Sequence, residues 1–259
     1  MDAFVAVAEA AAELAGQVIR PLFRSGLLVE AKGDASPVTE ADRAAERAIR
    51  ALLAERLPQH GVWGEEYGPD RADAEYLWVL DPIDGTRAFV TGRPLFGTLI
   101  ALLHRGRPVL GLIDQPVTGE RWLGLTGHPT RFRSPFGGVA RCRPCATLAE
   151  AELSCTSPDM FEPADRPGFE RLRAAARRVT WGGDCYAYGL AALGLVDVIC
   201  ESTMKPWDWA AVVPVVEGAG GRVTDWAGQP LTLASRGQVL AVGDPRLLPA
   251  AVAHLQAPG

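Results

Sequence analysis

Apolar residues along this chain change their spacing several times, and each change marks an element. Met1 to Arg24 is Ala-rich, with Asp2, Glu9 and Glu13 early, the pattern of an amphipathic helix and not of a secretory signal. A polar, turn-rich segment follows, Lys32-Gly33-Asp34-Ala35-Ser36-Pro37. Thr39 then reads as an N-cap, with Asp42 in a capping-box-like position. Ala45, Ile49, Leu52, Leu53 and Leu57 recur at helical spacing until Pro58 ends the pattern. Val62-Trp63 is a short strand leading into Gly64-Glu65-Glu66, and Tyr76-Leu77-Trp78-Val79-Leu80 is a buried strand ending at Asp81. Gly97 to His104 and Pro108 to Asp114 are apolar runs joined by Arg105-Gly106-Arg107, a hairpin signal, and Arg121 to Leu125 is a third strand. Pro129 to Pro144 reads as a connecting loop with one edge strand.

The second half alternates more strictly. Strands are predicted at Ala151–Cys155, Val179-Thr180 and Val196–Cys200, and helices at Gly168–Arg177 and Cys185–Leu193. A helix starting near Asp208 carries Val212, Val213, Val215 and Val216, with Pro214 set to kink or shorten it. Gly218, Gly220 and Gly221 end it, before strands near Val223 and at Val239 to Val242. Sheets and helices mixed this way predict an α+β sandwich, divided into an N-terminal part (1–145) and a C-terminal part (146–259).

Composition narrows the function. Apolar residues at 48% and charged residues at 22% are ordinary globular values. A net charge of −5 argues against nucleic acid or an anionic membrane as partner, and no run is long enough to span a bilayer. Five cysteines, with one isolated Cys142-Arg143-Pro144-Cys145 pair and no histidine near it, do not form a disulfide framework or a zinc site. The expected location is the cytoplasm.

The chemistry lies in the acids. Asp81 and Asp84 close a strand in Asp81-Pro82-Ile83-Asp84-Gly85-Thr86, and carboxylates that close repel unless a cation sits between them. Exposed N–H groups at the following helix start favour an anion such as phosphate. Asp42 alone reads as a capping carboxylate, and Glu65-Glu66 alone as a solvated turn. Asp208, between Trp207 and Trp209, demands a partner or a metal. The four histidines (His60, His104, His128, His254) fall outside every acidic motif, so the donor set is all oxygen and suits Mg²⁺ or Mn²⁺. Metal and phosphate on one turn point to metal-assisted attack of water on a phosphomonoester.

Gly64-Glu65-Glu66, Trp78 to Thr86, Trp207-Asp208 and Glu217-Gly218-Ala219-Gly220-Gly221 together resemble the inositol monophosphatase superfamily, in order and spacing, over roughly Phe4 to Leu247. That resemblance implies a layered αβαβα sandwich of the inositol monophosphatase and fructose-1,6-bisphosphatase type. It implies Glu66, Asp81, Asp84 and Asp208 as side-chain metal ligands and Ile83 as a carbonyl ligand. Gly85 and Thr86 would hold phosphate, and Asp42 would pair with Thr86 to orient or deprotonate the attacking water. Asp84 to Ile100, Trp181 to Gly189 and Lys205 to Asp208 resemble the histidinol-phosphatase branch, where Asp184 and Glu201 would face the organic part of the substrate. Asp184 also fits a helix N-cap, and Glu201 could equally serve hydroxyls. The substrate implied is L-histidinol phosphate, handled by a homodimer in histidine biosynthesis. An inositol or polyol phosphatase is the nearest alternative, and a catalytically silent binding protein of the same fold the alternative from another class.

Overall fold

The computed structural model describes residues 1–25, 30–31, 37–38 and 40–257. Thr39 and the turn at 32–36 lie outside the described residues. Helix α1 (Asp2–Leu22) buries Val5, Ala8, Ala12, Ala15 and Ile19, a stripe at spacings of three and four. After the short ladder of β1 (Glu30–Ala31) and β2 (Pro37–Val38), α2 (Glu40–Arg56) buries Ala41, Ala45, Ile49 and Leu53 against it.

Seven strands follow: β3 (Gly61–Gly64), β4 (Gly68–Asp70), β5 (Tyr76–Asp84), β6 (Gly97–His104), β7 (Arg107–Gln115), β8 (Glu120–Leu125) and β9 (Arg131–Arg133), with α3 (Thr86–Val90) between β5 and β6. They form one sheet in the order β4-β3-β5-β6-β7-β8-β9, parallel only at β3–β5. The β6–β7 turn holds Arg105 and Gly106 at φ 51° and 76°, the left-handed pair that matches strand twist in a tight hairpin. The second sheet comprises β10 (Glu152–Cys155), β11 (Arg178–Trp181), β12 (Val198–Glu201), β13 (Arg222–Thr224) and β14 (Val239–Val242), in the order β11-β10-β12-β14-β13. Here β10 runs parallel to both β11 and β12.

The alternation along β5 explains why it reads as a continuous apolar run. Trp78 and Leu80 pack with α1 and α2, while Leu77 and Val79 pack into a second core. That second core also takes Val212, Val215 and Val216 of α7 (Val212–Gly218), Ala187 and Tyr188 of α5 (Asp184–Ala192), and Ile199, Val239 and Ala241 from the five-stranded sheet. The far face of that sheet packs on α4 (Arg166–Ala175) and α8 (Leu248–Gln256) through Phe169, Leu172, Ala251 and Leu255. The layers therefore run α, β, α, β, α. The helix predicted from Asp208 is two pieces, α6 (Pro206–Trp209) and α7, joined at Ala210-Ala211. Pro214 lies inside α7 and has no N–H to donate to the Ala210 carbonyl, and the interruption falls at Ala210-Ala211, one turn before it. Among the described residues no helix is long and apolar enough to cross a membrane.

Candidate active site

The parallel strands of both sheets direct their carboxyl ends at one cavity of about 190 Å³. Glu65 follows β3, Asp81, Ile83 and Asp84 end β5, and Gly85 and Thr86 follow it; Thr156, Asp184 and Glu201 follow or close β10, β11 and β12.

The β5 edge shows how two carboxylates three residues apart reach the same side. In a regular strand such residues face opposite ways. Opposite β6, however, Asp81 pairs with Leu99 and Asp84 with Gly97, so β5 carries one extra residue there, a bulge that turns both carboxylates into the cavity. Pro82 is tolerated within the bulge because its missing donor breaks no ladder bond there. The bulge is fixed by the buried Thr98 hydroxyl, which donates to the Pro82 carbonyl at 2.7 Å, and by Ile83 N–H, which donates to Asp81 Oδ1 at 3.1 Å. Gly85 then turns at φ 88° and Thr86 opens α3, its hydroxyl donating to the Ile83 carbonyl at 3.1 Å.

Beside this edge, α2 pins the Gly64-Glu65-Glu66 turn. Buried Glu46 accepts from Glu66 N–H at 2.8 Å and Tyr67 N–H at 3.3 Å, and Arg50 Nε holds it at 2.7 Å. A Cβ at position 64 would lie 2.0 Å from Glu46 Oε1, so only glycine lets the turn sit this close. Asp42, also on α2 and fully buried, places a carboxylate oxygen within 4.8 Å of one each from Glu65 and Glu66. Glu66 also reaches Arg43 Nε at 3.6 Å.

The second sheet closes the cavity. Asp208, third residue of α6, accepts from Lys205 N–H at 2.7 Å, as a capping box does. Its other oxygen is available to the cavity, and Asp81, Asp84 and Asp208 each offer an oxygen within 4.8 Å of the others. At the end of β11 the backbone turns through φ 80°, 127° and 43° at Gly182, Gly183 and Asp184. Gly183, not Asp184, takes the N-cap position of α5. This turn brings Cys185 N–H to Asp84 Oδ2, where it donates, and leaves the Asp184 carboxylate on the cavity wall beside Gly85.

Burial and like charge set the electrostatics. Burial, then the carboxylates of Glu65, Asp84, Asp42 and Asp208, raise the pKa of Asp81 well above its ordinary value. Burial and then Asp184 and Asp208 do the same to Asp84, and burial pushes Asp208 up to about 7. Asp184 is also held at about 7, by burial and then by Glu201. Hard carboxylate oxygens converging in this way, with no histidine among the cavity-lining residues, fit one or more divalent cations of the Mg²⁺ type. The donors present would be Glu65, Asp81, Asp84 and Asp208 with the Ile83 carbonyl.

Most residues singled out in the sequence come together: Asp81, Ile83, Asp84, Gly85, Thr86, Asp184, Glu201 and Asp208 line the cavity. Glu65 lines it where sequence reading favoured its neighbour Glu66, which stands one step away with Asp42. Glu201 lines the wall but is already engaged, accepting from Thr156 N–H at 3.0 Å, from the Thr156 hydroxyl, and from Tyr188 OH at 2.8 Å. Burial raises its pKa. Thr156, Met160 and Met204 also line the cavity, and no motif in the sequence marks them. Cys142 and Cys145 are free thiols remote from this cavity.

Comparisons with known proteins follow the same lines. The profile of the inositol monophosphatase family matches residues 1–257. Bifunctional phosphatase IMPL2, chloroplastic, of Arabidopsis thaliana is 47% identical over 231 residues, 88% of this chain and 66% of that protein, so the chain spans just under two thirds of it. Histidinol-phosphatase of Mycobacterium tuberculosis is 38% identical over 231 residues, 86% of this chain and 87% of its own. The solved structure of an inositol monophosphatase from Zymomonas mobilis, 46% identical, superposes with a TM-score of 0.90 over 99% of this chain and 98% of that one.

Proposed function

The chain belongs to the inositol monophosphatase family and is a phosphomonoesterase; from that premise we propose that it hydrolyses L-histidinol phosphate to L-histidinol with Mg²⁺ as its ion. The observation that carries the substrate assignment is Asp184. Its carboxylate stands on the cavity wall beyond the Asp81, Asp84 and Asp208 group, where an amine or imidazolium gains from a negative charge and a neutral polyol does not. The relatives named histidinol-phosphatase and bifunctional phosphatase support the same reading.

In the reaction, Glu65, Asp81, Asp84, Asp208 and the Ile83 carbonyl would hold the metal, with Glu66 and Asp42 beside Glu65. Bound there, divalent ions neutralise charge on the phosphoryl oxygens and the leaving alkoxide and make water a better nucleophile. Gly85 and Thr86 present backbone N–H groups to the phosphate and fix its orientation for in-line attack. Thr86 and Asp42 orient the attacking water, and Asp42 takes its proton. Glu201 acts indirectly, by holding Thr156 in the wall. The enzyme works as a homodimer on a small phosphorylated metabolite in the cytoplasm, in histidine biosynthesis, with the cavity between an N-terminal unit (1–145) and a C-terminal unit (146–259).

Asp184→Asn tests the assignment, because it removes the charge and keeps the shape. The expected result is a drop of about tenfold in kcat/KM for L-histidinol phosphate, with myo-inositol 1-phosphate changed less than about threefold. Equal effects on both substrates would contradict it and favour the inositol phosphatase reading.

A further inference from the structure

We propose that Met160 and Met204 set the selectivity of this cavity, favouring phosphomonoesters with a flat heteroaromatic group over polyol phosphates. The proposal rests on the phosphatase reading above and concerns the wall that meets the substrate's organic part.

The loops after β10 and β12 bring both methionines to the cavity. Each is held in place. Cys155 Sγ lies 3.6 Å from Met160 Sδ, and the Tyr188 hydroxyl, whose proton goes to Glu201, lies 3.5 Å from Met204 Sδ. Between them Thr203 adopts a left-handed φ of 64°; its hydroxyl donates to the Ser202 carbonyl at 2.6 Å and lies 3.4 Å from the Met160 carbonyl, so the two loops meet there. Met204 N–H donates to the Gly237 carbonyl at 3.0 Å.

Glu201, one of the polar groups on this wall, already takes three donors on its two oxygens. A thioether donates nothing and accepts weakly. A ring hydroxyl pressed here exchanges water for no comparable partner, which disfavours inositol. A flat ring gains dispersion and sulfur–aromatic contact from the same surface. Asp184 supplies the charge for a cationic group, and the two methionines supply a surface that suits a ring.

The test compares wild type with Met160→Gln/Met204→Gln and Met160→Leu/Met204→Leu, each checked for cooperative thermal unfolding. kcat/KM is measured with Mg²⁺ on L-histidinol phosphate and myo-inositol 1-phosphate. The glutamine pair is expected to lower the histidinol-to-inositol ratio about tenfold, and the leucine pair to hold it within about threefold. An unchanged ratio in a folded glutamine pair overturns the proposal, and so does an equal fall in the leucine pair. Preference of wild type for inositol phosphate would overturn the histidinol phosphate assignment alone, because the ratio change in the variants is read independently of which substrate leads.

Discussion

Replacing Asp208 by Asn should make the metal-free protein more stable, not less. Asp208 shares its site with Asp81 and Asp84, each offering an oxygen within 4.8 Å of the others. Two unit charges at that distance repel by about 3.5 kcal/mol at an effective dielectric of about 20. The true gain is smaller, because Asp208, with its pKa raised to about 7 by burial, is half protonated at neutral pH. About 2 kcal/mol is a reasonable expectation, or roughly 4–8 °C in Tm for a chain of this size. The asparagine oxygen can still accept from Lys205 N–H, so the cap of α6 survives. A carboxyl whose folded pKa lies above its unfolded value lowers stability as pH rises from the ordinary 3.8 toward about 7. The advantage of Asp208→Asn should therefore be small at pH 4 and full at pH 8. Magnesium reverses the order: at a hundredfold excess over Kd it stabilises wild type by about 2.7 kcal/mol and the variant far less. Thermal unfolding followed by circular dichroism, in EDTA and in Mg²⁺, reads both effects. A variant less stable than wild type in EDTA at pH 8, or an equal Mg²⁺ shift in the two proteins, would refute the reasoning.

Two further perturbations probe how the site is held. Gly64→Ala places a Cβ 2.0 Å from Glu46 Oε1, so buried Glu46 or the turn it pins, which carries Glu65, must shift; unfolding should show a loss of about 1–3 kcal/mol and Mg²⁺-dependent phosphate release should fall at least about tenfold. Asp244 has its pKa lowered by Arg246 and by the N–H groups of Arg246 and Cys145. Asp244→Asn should then lower Tm by a constant amount from pH 7 to pH 5 and by less as pH falls below the ordinary 3.8, where the native carboxylate begins to lose its advantage; a deficit that grows on acidification would contradict this.

What could be read in the sequence was set by local periodicity. The strand before Asp81, the hairpin at Arg105-Gly106 and the mixed α+β character are written as runs and breaks, the αβαβα layering was implied by the family resemblance alone, and the structure has all of them. Gly64-Glu65-Glu66 could be found but not resolved, because adjacent residues leaving a strand point opposite ways and only the backbone path decides which faces the cavity. That path depends on Glu46, 18 positions before Gly64, a contact no local pattern announces. The bulge in β5 was likewise hidden: Asp81 and Asp84 were visible as a pair, but their common face follows from pairing with Leu99 and Gly97. Met160, Met204 and Thr156 carry no chemical signature in sequence and matter only because the loops after β10 and β12 meet. Glu201 was legible as a substrate-side acid, whereas its engagement by Thr156 and Tyr188 is a tertiary fact.

The most direct measurement is an internal competition. An equimolar mixture of L-histidinol phosphate and myo-inositol 1-phosphate is given to the Mg²⁺-loaded enzyme, and ³¹P NMR follows both esters, so the ratio of their initial rates equals the ratio of kcat/KM. Consumption of histidinol phosphate at least about tenfold faster is the result predicted from Asp184 and the two methionines. Inositol phosphate consumed at an equal or greater rate would contradict the account at its centre.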